Sequence, residues 1–529
     1  MCDFSNEAHD SLPPKASATP PAAHPESRRT TTAAWFVVIL LFGVALRLFQ
    51  LGEASLWLDE AATYRRVSHP LPFLLINIAV NDAHPPAFYL IVHLLTLPFM
   101  ELGHLEWMLR YPSALAGILT IVVIWMTERR LCPASAFPVA TLFTACSAFG
   151  VFYAQEARHY VFVGLWVAIG NLAVLRAMSR QRIGSREFVL YFLSMGLALY
   201  TFYYALFFWI GHVAAIALTG ALRRDNWKRW TAFLAAPILA FLLYVPVILG
   251  MKKRLIAAGS PMGYRLPDVG TIFRSLAEVA VGLEPFGRHS EGEWTVLAAI
   301  VAAAPLLVLL TAWCRLSAMQ RSLVVMAVGS VVCLVFFPFK PHTMEAKHLS
   351  GLLPVYALCI GQTATLFSRP PGSGGRRLLK AGVWGILPVV LALNACSLTN
   401  YFRGPLVKEN WRAAGEFLNS RLDESDIVMP GPFYLEYPLE LYLIPEHRER
   451  LKTVSELYAE VVDGDGAPLS EDSSYKDART IWLVELLDSP VSYRDTDTIT
   501  VAAQGRRAAG EAVFPGRLGT IRLTPYGRP

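Results

Sequence analysis

Charged side chains are scarce in this sequence: Asp, Glu, Lys and Arg make up 17% of its 529 residues, against about 25% in an ordinary soluble domain. That shortage excludes a chain solvated by water over its whole surface, and the 54% hydrophobic content points to lipid instead. Cysteine is sparse and unpatterned. Cys2, Cys132, Cys146, Cys314, Cys333, Cys359 and Cys396 lie in or beside apolar runs or at the N-terminus, none follows residue 396, and none shows metal-ligand spacing. This argues against disulfides and a structural zinc site. No basic domain exists either. The net charge of +6 is divided among short clusters between apolar runs, which excludes a nucleic-acid partner and follows the positive-inside rule.

What is present is a series of long apolar runs: Trp35 to Leu51, Glu187 to Leu222, Trp230 to Leu249, Trp294 to Trp313, Arg321 to Phe339, His348 to Phe367 and Leu378 to Leu398. A run of roughly 18 apolar residues crosses the hydrocarbon core as a helix. Glu187 to Leu222 is long enough for two spans, turning near Tyr203 and Tyr204. Residues 1–33, rich in Pro, Ala, Ser and Thr, read as a disordered cytoplasmic tail. Arg28 and Arg29 precede the first run, which then acts as a signal anchor.

Residues 52–85 form a first extracytoplasmic loop containing Glu53, Asp59, Glu60 and Asp82. Basic clusters at Arg129–Arg130, Arg176 to Arg186, Arg223 to Arg229, Arg315 to Arg321 and Arg369 to Arg377 belong to the cytoplasm. That places Gln155 to His159, Tyr203–Tyr204, Met251 to Glu293, Lys340 to Lys347 and the C-terminal part outside. Pro85 to Met100, short and carrying Pro85, Pro86 and Pro98, is expected to be a partial or re-entrant segment.

From residue 405 the pattern becomes soluble, with strands at Asp426 to Met429, Thr480 to Glu485 and Gly519 to Leu523 and helices at Trp411 to Leu422 and Tyr434 to Leu443. The expected fold class is a polytopic all-α membrane protein with about 11–13 transmembrane helices across 34–400. A small α/β extracytoplasmic domain, 405–529, follows it.

Charge inside the bilayer is costly and marks function. Here the spans are almost free of it, and acids and histidines gather at the outer helix ends. In Leu56-Trp57-Leu58-Asp59-Glu60-Ala61-Ala62-Thr63-Tyr64, Trp57 anchors at the interface and sets the acids at headgroup depth. A carboxylate beside apolar surface can serve as a general base or bind a divalent cation. An isolated Asp-Glu pair is, however, ordinarily the acid-rich first turn of a helix. In Asn81-Asp82-Ala83-His84-Pro85-Pro86-Ala87-Phe88-Tyr89 the prolines stiffen the lead-in to a helix and hold Asp82 and His84 in place, where carboxylate and imidazole could bind a metal. Its bland counterpart is proline punctuation with a surface histidine.

Together the two segments resemble the GT-C membrane glycosyltransferases, in particular the glycosyltransferase family 39-like group of protein O-mannosyltransferases and the bacterial aminoarabinose transferase. Leu109-Arg110-Tyr111-Pro112-Ser113-Ala114-Leu115, Tyr153-Ala154-Gln155-Glu156-Ala157-Arg158-His159-Tyr160 and Lys408-Glu409-Asn410-Trp411-Arg412 extend the likeness over most of the chain after residue 35. The resemblance implies transfer of a sugar from a polyprenyl-phosphate donor to an acceptor at the outer face of a bacterial plasma membrane. Asp59 is then the base, supported by Glu60. Asp82 and His84 lie near phosphate and a divalent metal ion, the one cofactor allowed for, and Glu156 and Arg158 organise the cavity.

A phosphate leaving group needs positive charge. Met251-Lys252-Lys253-Arg254, the Lys340, His342, Lys347 and His348 stretch, and one of Arg65 or Arg66 could supply it. Snorkelling at the interface would account equally for such lysines. Lys347-His348 stands where many relatives carry Arg-Tyr, so the phosphate-binding role transfers less directly, and Asn410, where they often carry Asp, bears on the soluble domain alone. The competing readings are a transporter or lipid flippase, a lipid-linked oligosaccharide polymerase or ligase, and a non-catalytic assembly protein. A transporter would want mid-span charges, broken helices and an internal repeat.

Overall fold

The structure is a computed structural model that describes residues 25–81, 84–96, 103–133, 135, 137–180, 182–218, 227–250, 269–282, 293–336, 345–367, 375–403, 408–452, 477–487, 505–516 and 519–528. Residues 1–24 of the expected tail, Asp82, the Met251 to Arg254 loop, Lys340 and His342 lie outside these.

The first helix, α1 (Pro25–Leu48), begins earlier than the tail boundary at residue 33 implied, because Pro25 presets the helical φ at its first turn. Only 22% of its apolar window is buried, and Val37, Val38, Leu41 and Phe42 face outward. An apolar face of that kind is stable against lipid. Helix α5 (Leu105–Leu131) packs beside α1, while 83% of the window of α8 (Tyr160–Arg180) is buried, which puts α8 at the centre.

Among the described residues these three helices are long and apolar enough to cross a membrane. Further helices complete the bundle, including α6 (Val139–Cys146), α7 (Ala148–Ala154), α9 (Ser185–Thr201), α10 (Ala205–Leu218), α11 (Trp227–Leu242), α12 (Val269–Val281), α13 (Glu293–Thr311), α14 (Ala318–Phe336), α15 (Leu352–Phe367) and α16 (Gly375–Arg403). The turn between α9 and α10 falls at the expected Tyr203–Tyr204.

The segment 52–85, expected as a loop, contains two helices. Helix α2 (Leu58–Val67) carries Asp59 and Glu60 in its first turn and Arg65 and Arg66 in its last, which complements the helix dipole at both ends. Helix α3 (Leu71–Asn81) turns Leu74 and Ile78, four apart, into the core beside Phe88, Val92 and Leu109. Helix α4 (Ala87–Thr96) covers 10 described residues of the segment Pro85 to Met100.

The C-terminal module contains the expected strands. Strand β1 (Ile427–Gly431) runs parallel to β2 (Thr480–Leu487), β2 antiparallel to β5 (Thr520–Gly527), and β3 (Arg507–Ala508) and β4 (Ala512–Phe514) share the far edge of β5. Helices α17 (Trp411–Asn419), α18 (Glu436–Tyr442) and α19 (Pro445–Arg448) accompany the sheet. Trp411, Leu418, Val428, Leu439, Val484 and Leu523 form its core, and Leu58 from α2 packs against that core. The helix bearing Asp59 therefore lies between the two parts of the molecule.

Helix ends inside the bundle are satisfied from neighbours. Buried Glu128 at the end of α5 accepts hydrogen bonds from Ala140 N (2.8 Å), Thr141 N (2.9 Å) and Thr141 Oγ1 (2.7 Å), capping α6. Glu128→Ala is expected to lower the thermal unfolding temperature in detergent by leaving those donors unpaired, at about 1–3 kcal/mol for each buried group. Glu128→Gln, which keeps an acceptor oxygen, should lose less.

Candidate active site

The site forms where α2 meets the turn before α8. Successive residues on a helix are about 100° apart, so Asp59 and Glu60 face different surroundings. Glu60 points inward and is fully buried. Arg110 grips it with Nε (2.9 Å) and Nη2 (2.6 Å) and directs its other N–H groups to the carbonyls of Leu51 (3.1 Å), Ala54 (2.9 Å) and Ser55 (3.1 Å). All five guanidinium donors are thereby used. Ala157 N adds a bond to Glu60 Oε1 at 2.8 Å. Burial works to raise the Glu60 carboxyl, but the Arg110 charge and these hydrogen bonds hold it below the usual carboxylate range.

Asp59 keeps 36% of its side chain accessible. Arg158 Nη2 lies 3.2 Å from its Oδ2, and Arg158 Nη1 donates to its carbonyl at 3.3 Å. Among the described residues Oδ1 has no hydrogen-bond partner and can accept. The enclosure pushes the Asp59 carboxyl up, yet Arg158, Lys347, His84 and Lys408 together outweigh that and hold it below its ordinary value. Asp59 is an ionised, reachable carboxylate surrounded by cations.

Lys347 pairs with Glu345 at 2.5 Å. Burial would lower it, but Tyr160, Glu345 and Asp59 keep it above the usual lysine value. His348 receives a bond from Glu345 N at 3.2 Å and stacks its ring on Tyr204 (5.0 Å) and Phe202 (5.8 Å). His84 lies 4.6 Å from the ring of His159. His159 is buried with both ring nitrogens unpartnered among the described residues, and burial with the neighbouring cations holds it well below the usual imidazole range. Glu156 is ion-paired with Lys408, whose ammonium sits 4.3 Å from the Trp57 ring centroid and 4.6 Å from that of Phe152. Burial drives this pair toward its neutral forms, Glu156 up and Lys408 down, against their mutual attraction. Burial also pushes Glu409 up to about 7, against hydrogen bonds from Trp411 and Leu58.

Of the residues expected from the sequence, Asp59, His84, Glu156, Arg158, Lys347 and His348 are brought together, with Glu60 directly behind them. Arg65 instead bonds Glu436 (3.4 Å) and lies over the Tyr437 ring (4.5 Å), toward the C-terminal module. Arg66 donates to Ala62 O (2.7 Å) and lies 5.5 Å from the Tyr89 ring. Neither is brought against Asp59. Among the described residues, which do not include Asp82, no three His, Cys, Asp or Glu side chains are arranged to hold a metal ion. Roles for Arg110, His159, Lys408 and Glu409 were missed. Arg110, Lys408 and Glu409 stood in motifs as plain letters, and only their burial shows what they do.

The sequence family described as dolichyl-phosphate-mannose-protein mannosyltransferase matches residues 83–249. No curated protein sequence matches the chain. The fold is similar to that of ArnT from Cupriavidus metallidurans. The apo structure gives a TM-score of 0.54 at 15% identity, covering 93% of this chain and 98% of that one. The structure bound to undecaprenyl phosphate gives 0.51 at 15% identity, covering 95% and 98%. The class of protein is therefore an integral membrane protein with the GT-C glycosyltransferase fold. Within that class its likeness is to the mannosyltransferase and ArnT-like group that its motifs resemble.

The Glu60–Arg110 pair generates a stability prediction. A carboxyl held low contributes stability that is present above its ordinary value of 4.5 and lost as pH falls through its folded-state value below that. Arg110→Met leaves a buried carboxylate unpaired and should cost about 3–5 kcal/mol. Thermal unfolding in detergent across pH should show a lower unfolding temperature near neutrality and a weaker loss on acidification than in the wild type.

Proposed function

We propose that this protein transfers a sugar from a polyprenyl-phosphate-linked donor to an acceptor at the extracytoplasmic face of a bacterial plasma membrane, with Asp59 as general base. The observation that carries the reading is the Asp59 carboxylate, ionised, accessible and ringed by cations. In this reading residues 34–400 form the membrane part and 405–529 lie outside the cell.

The reaction needs two things at once. The acceptor's hydroxyl or amine must lose a proton as it attacks the anomeric carbon, and the breaking bond leaves its electrons on the lipid phosphate. Asp59 Oδ1 takes the proton. Arg158 and Lys347 offset the charge that develops on the phosphate oxygens. Direct displacement inverts the anomeric carbon. Glu60, locked to Arg110, holds α2 in place and does not touch the reacting atoms. His84 and Asp82 remain a proposed place for a divalent ion beside the phosphate, and no step above depends on one.

Isolated membranes supplied with a radiolabelled polyprenyl-phosphate sugar test the reading, once equal insertion of the compared proteins is established. Asp59→Asn should lower transfer by about 10²–10⁴-fold. Transfer equal to the wild type would remove Asp59 from the mechanism. The pH profile gives a second expectation. Because cations hold Asp59 low in the donor-free protein, wild-type kcat/KM should persist into acid below the ordinary carboxyl value. Arg158→Gln removes the nearest of those cations, raises the Asp59 carboxyl and should move the acid limb to higher pH.

A further inference from the structure

The segment leading into α2 is held from the far end of the sequence. Glu409 Oε2 accepts a hydrogen bond from Leu58 N at 3.0 Å, and the Glu409 carbonyl accepts one from Ser55 Oγ at 2.8 Å. Leu58 is the first residue of α2, so Glu409 satisfies an amide that the helix itself leaves open, immediately before Asp59. Trp411 Nε1 fixes the same carboxylate at 2.6 Å.

Further along, Arg412 donates through Nη1 to Glu53 O (2.9 Å) and pairs through Nη2 with Glu106 (2.5 Å), and the Tyr442 hydroxyl accepts from Leu56 N (2.7 Å) while donating to Glu106 (3.0 Å). Residues 53, 55, 56 and 58 are thus each bonded to the module that follows the last membrane helix. Lys408 completes the arrangement. Its ammonium packs on Trp57, two residues before Asp59, and pairs with Glu156, two residues before Arg158. One side chain therefore ties down the residue run bearing the carboxylate and the turn bearing its cationic partner.

We propose that Lys408 and Glu409 are positioning residues for the Asp59–Arg158 pair, so that the C-terminal module completes the active site by docking against α2. The inference rests on the proposed role of Asp59 and adds to it. The base is aimed by contacts from a part of the chain that never touches the reacting atoms. Placement within about 1 Å matters here, since a displacement of that size can change a rate by about 10²-fold. A module that served only to recognise an acceptor would have no need of hydrogen bonds to the backbone before Asp59.

The test compares Glu409→Ala with Glu409→Gln in the full-length protein, with Asp423→Asn on the exposed Arg479–Asp423 pair as a control in the same module. Glu409→Ala removes the acceptor for Leu58 N and should lower kcat by on the order of 10²-fold with the KM for the lipid-linked donor little changed. Glu409→Gln keeps an acceptor oxygen and should recover most of that loss, while the control stays at the wild-type rate. Equal kcat in Glu409→Ala and wild type, or equal impairment of both Glu409 variants, would overturn the proposal. Lys408→Met should lower kcat in the same sense, and the Lys408→Glu/Glu156→Lys exchange should recover part of it.

Hydrogen–deuterium exchange over residues 53–63 is read on the same proteins and needs no turnover. Faster exchange in Glu409→Ala than in Glu409→Gln supports positioning, and unchanged exchange refutes it. If the wild type transfers no sugar from any donor supplied, the reading of the reaction fails. The exchange measurement then decides the positioning role alone.

Discussion

The arrangement around Asp59 depends on a single guanidinium enclosed by protein. An arginine with all five N–H groups away from water must find an acceptor for each, because every one left open carries a substantial cost. Arg110 finds them in Glu60 and in the carbonyls of Leu51, Ala54 and Ser55. The chain between α1 and α2 is thereby wrapped around one point. The two adjacent acids acquire separate tasks from a single step along the helix. Glu60 is committed to holding the loop, and Asp59, rotated away from it, meets Arg158 and remains reachable.

The cations near Asp59 already have partners: Arg158 has Asp59, Lys347 has Glu345 and Lys408 has Glu156. A phosphate entering this space would exchange partners with carboxylates. It would not fall into an empty positive well. Such an exchange keeps the cations paired, while the carboxylate left behind loses its partner. It also implies that Arg158 contacts Asp59 most closely before a donor is bound, and that its departure toward phosphate would let the Asp59 carboxyl rise toward a value better suited to accept a proton.

Much of this was legible in the sequence. The order of Leu-Trp-x-Asp-Glu, His-Pro-Pro and Gln-Glu-Ala-Arg carried the fold, and residues Asp59, His84, Glu156 and Arg158 converge as that order implied. The three principal strands of the C-terminal module were visible as short apolar stretches in a mixed soluble pattern. Other features were not. Arg65 and Arg66 sit within two turns of Asp59, and spacing alone could not show that Arg65 turns to Glu436 in a segment hundreds of residues away. Helix α2 was visible only as an acid-rich first turn at Asp59 and Glu60, and α3, a short apolar stretch without charge, lay within the segment that read as a loop. Lys408 stood in a motif at the entry to the soluble domain, with no role of its own. Its enclosure by Trp57, Phe152 and Glu156 is a tertiary fact with no local signature.

The bond between Leu58 N and Glu409 has a consequence for the order in which the protein is made. The ribosome delivers Leu58 and, 351 residues later, Glu409. Until then the amide before Asp59 lacks this cap. The first turn of α2 is therefore completed from the far side of the bundle's sequence, and a shorter nascent chain holds Asp59 without it.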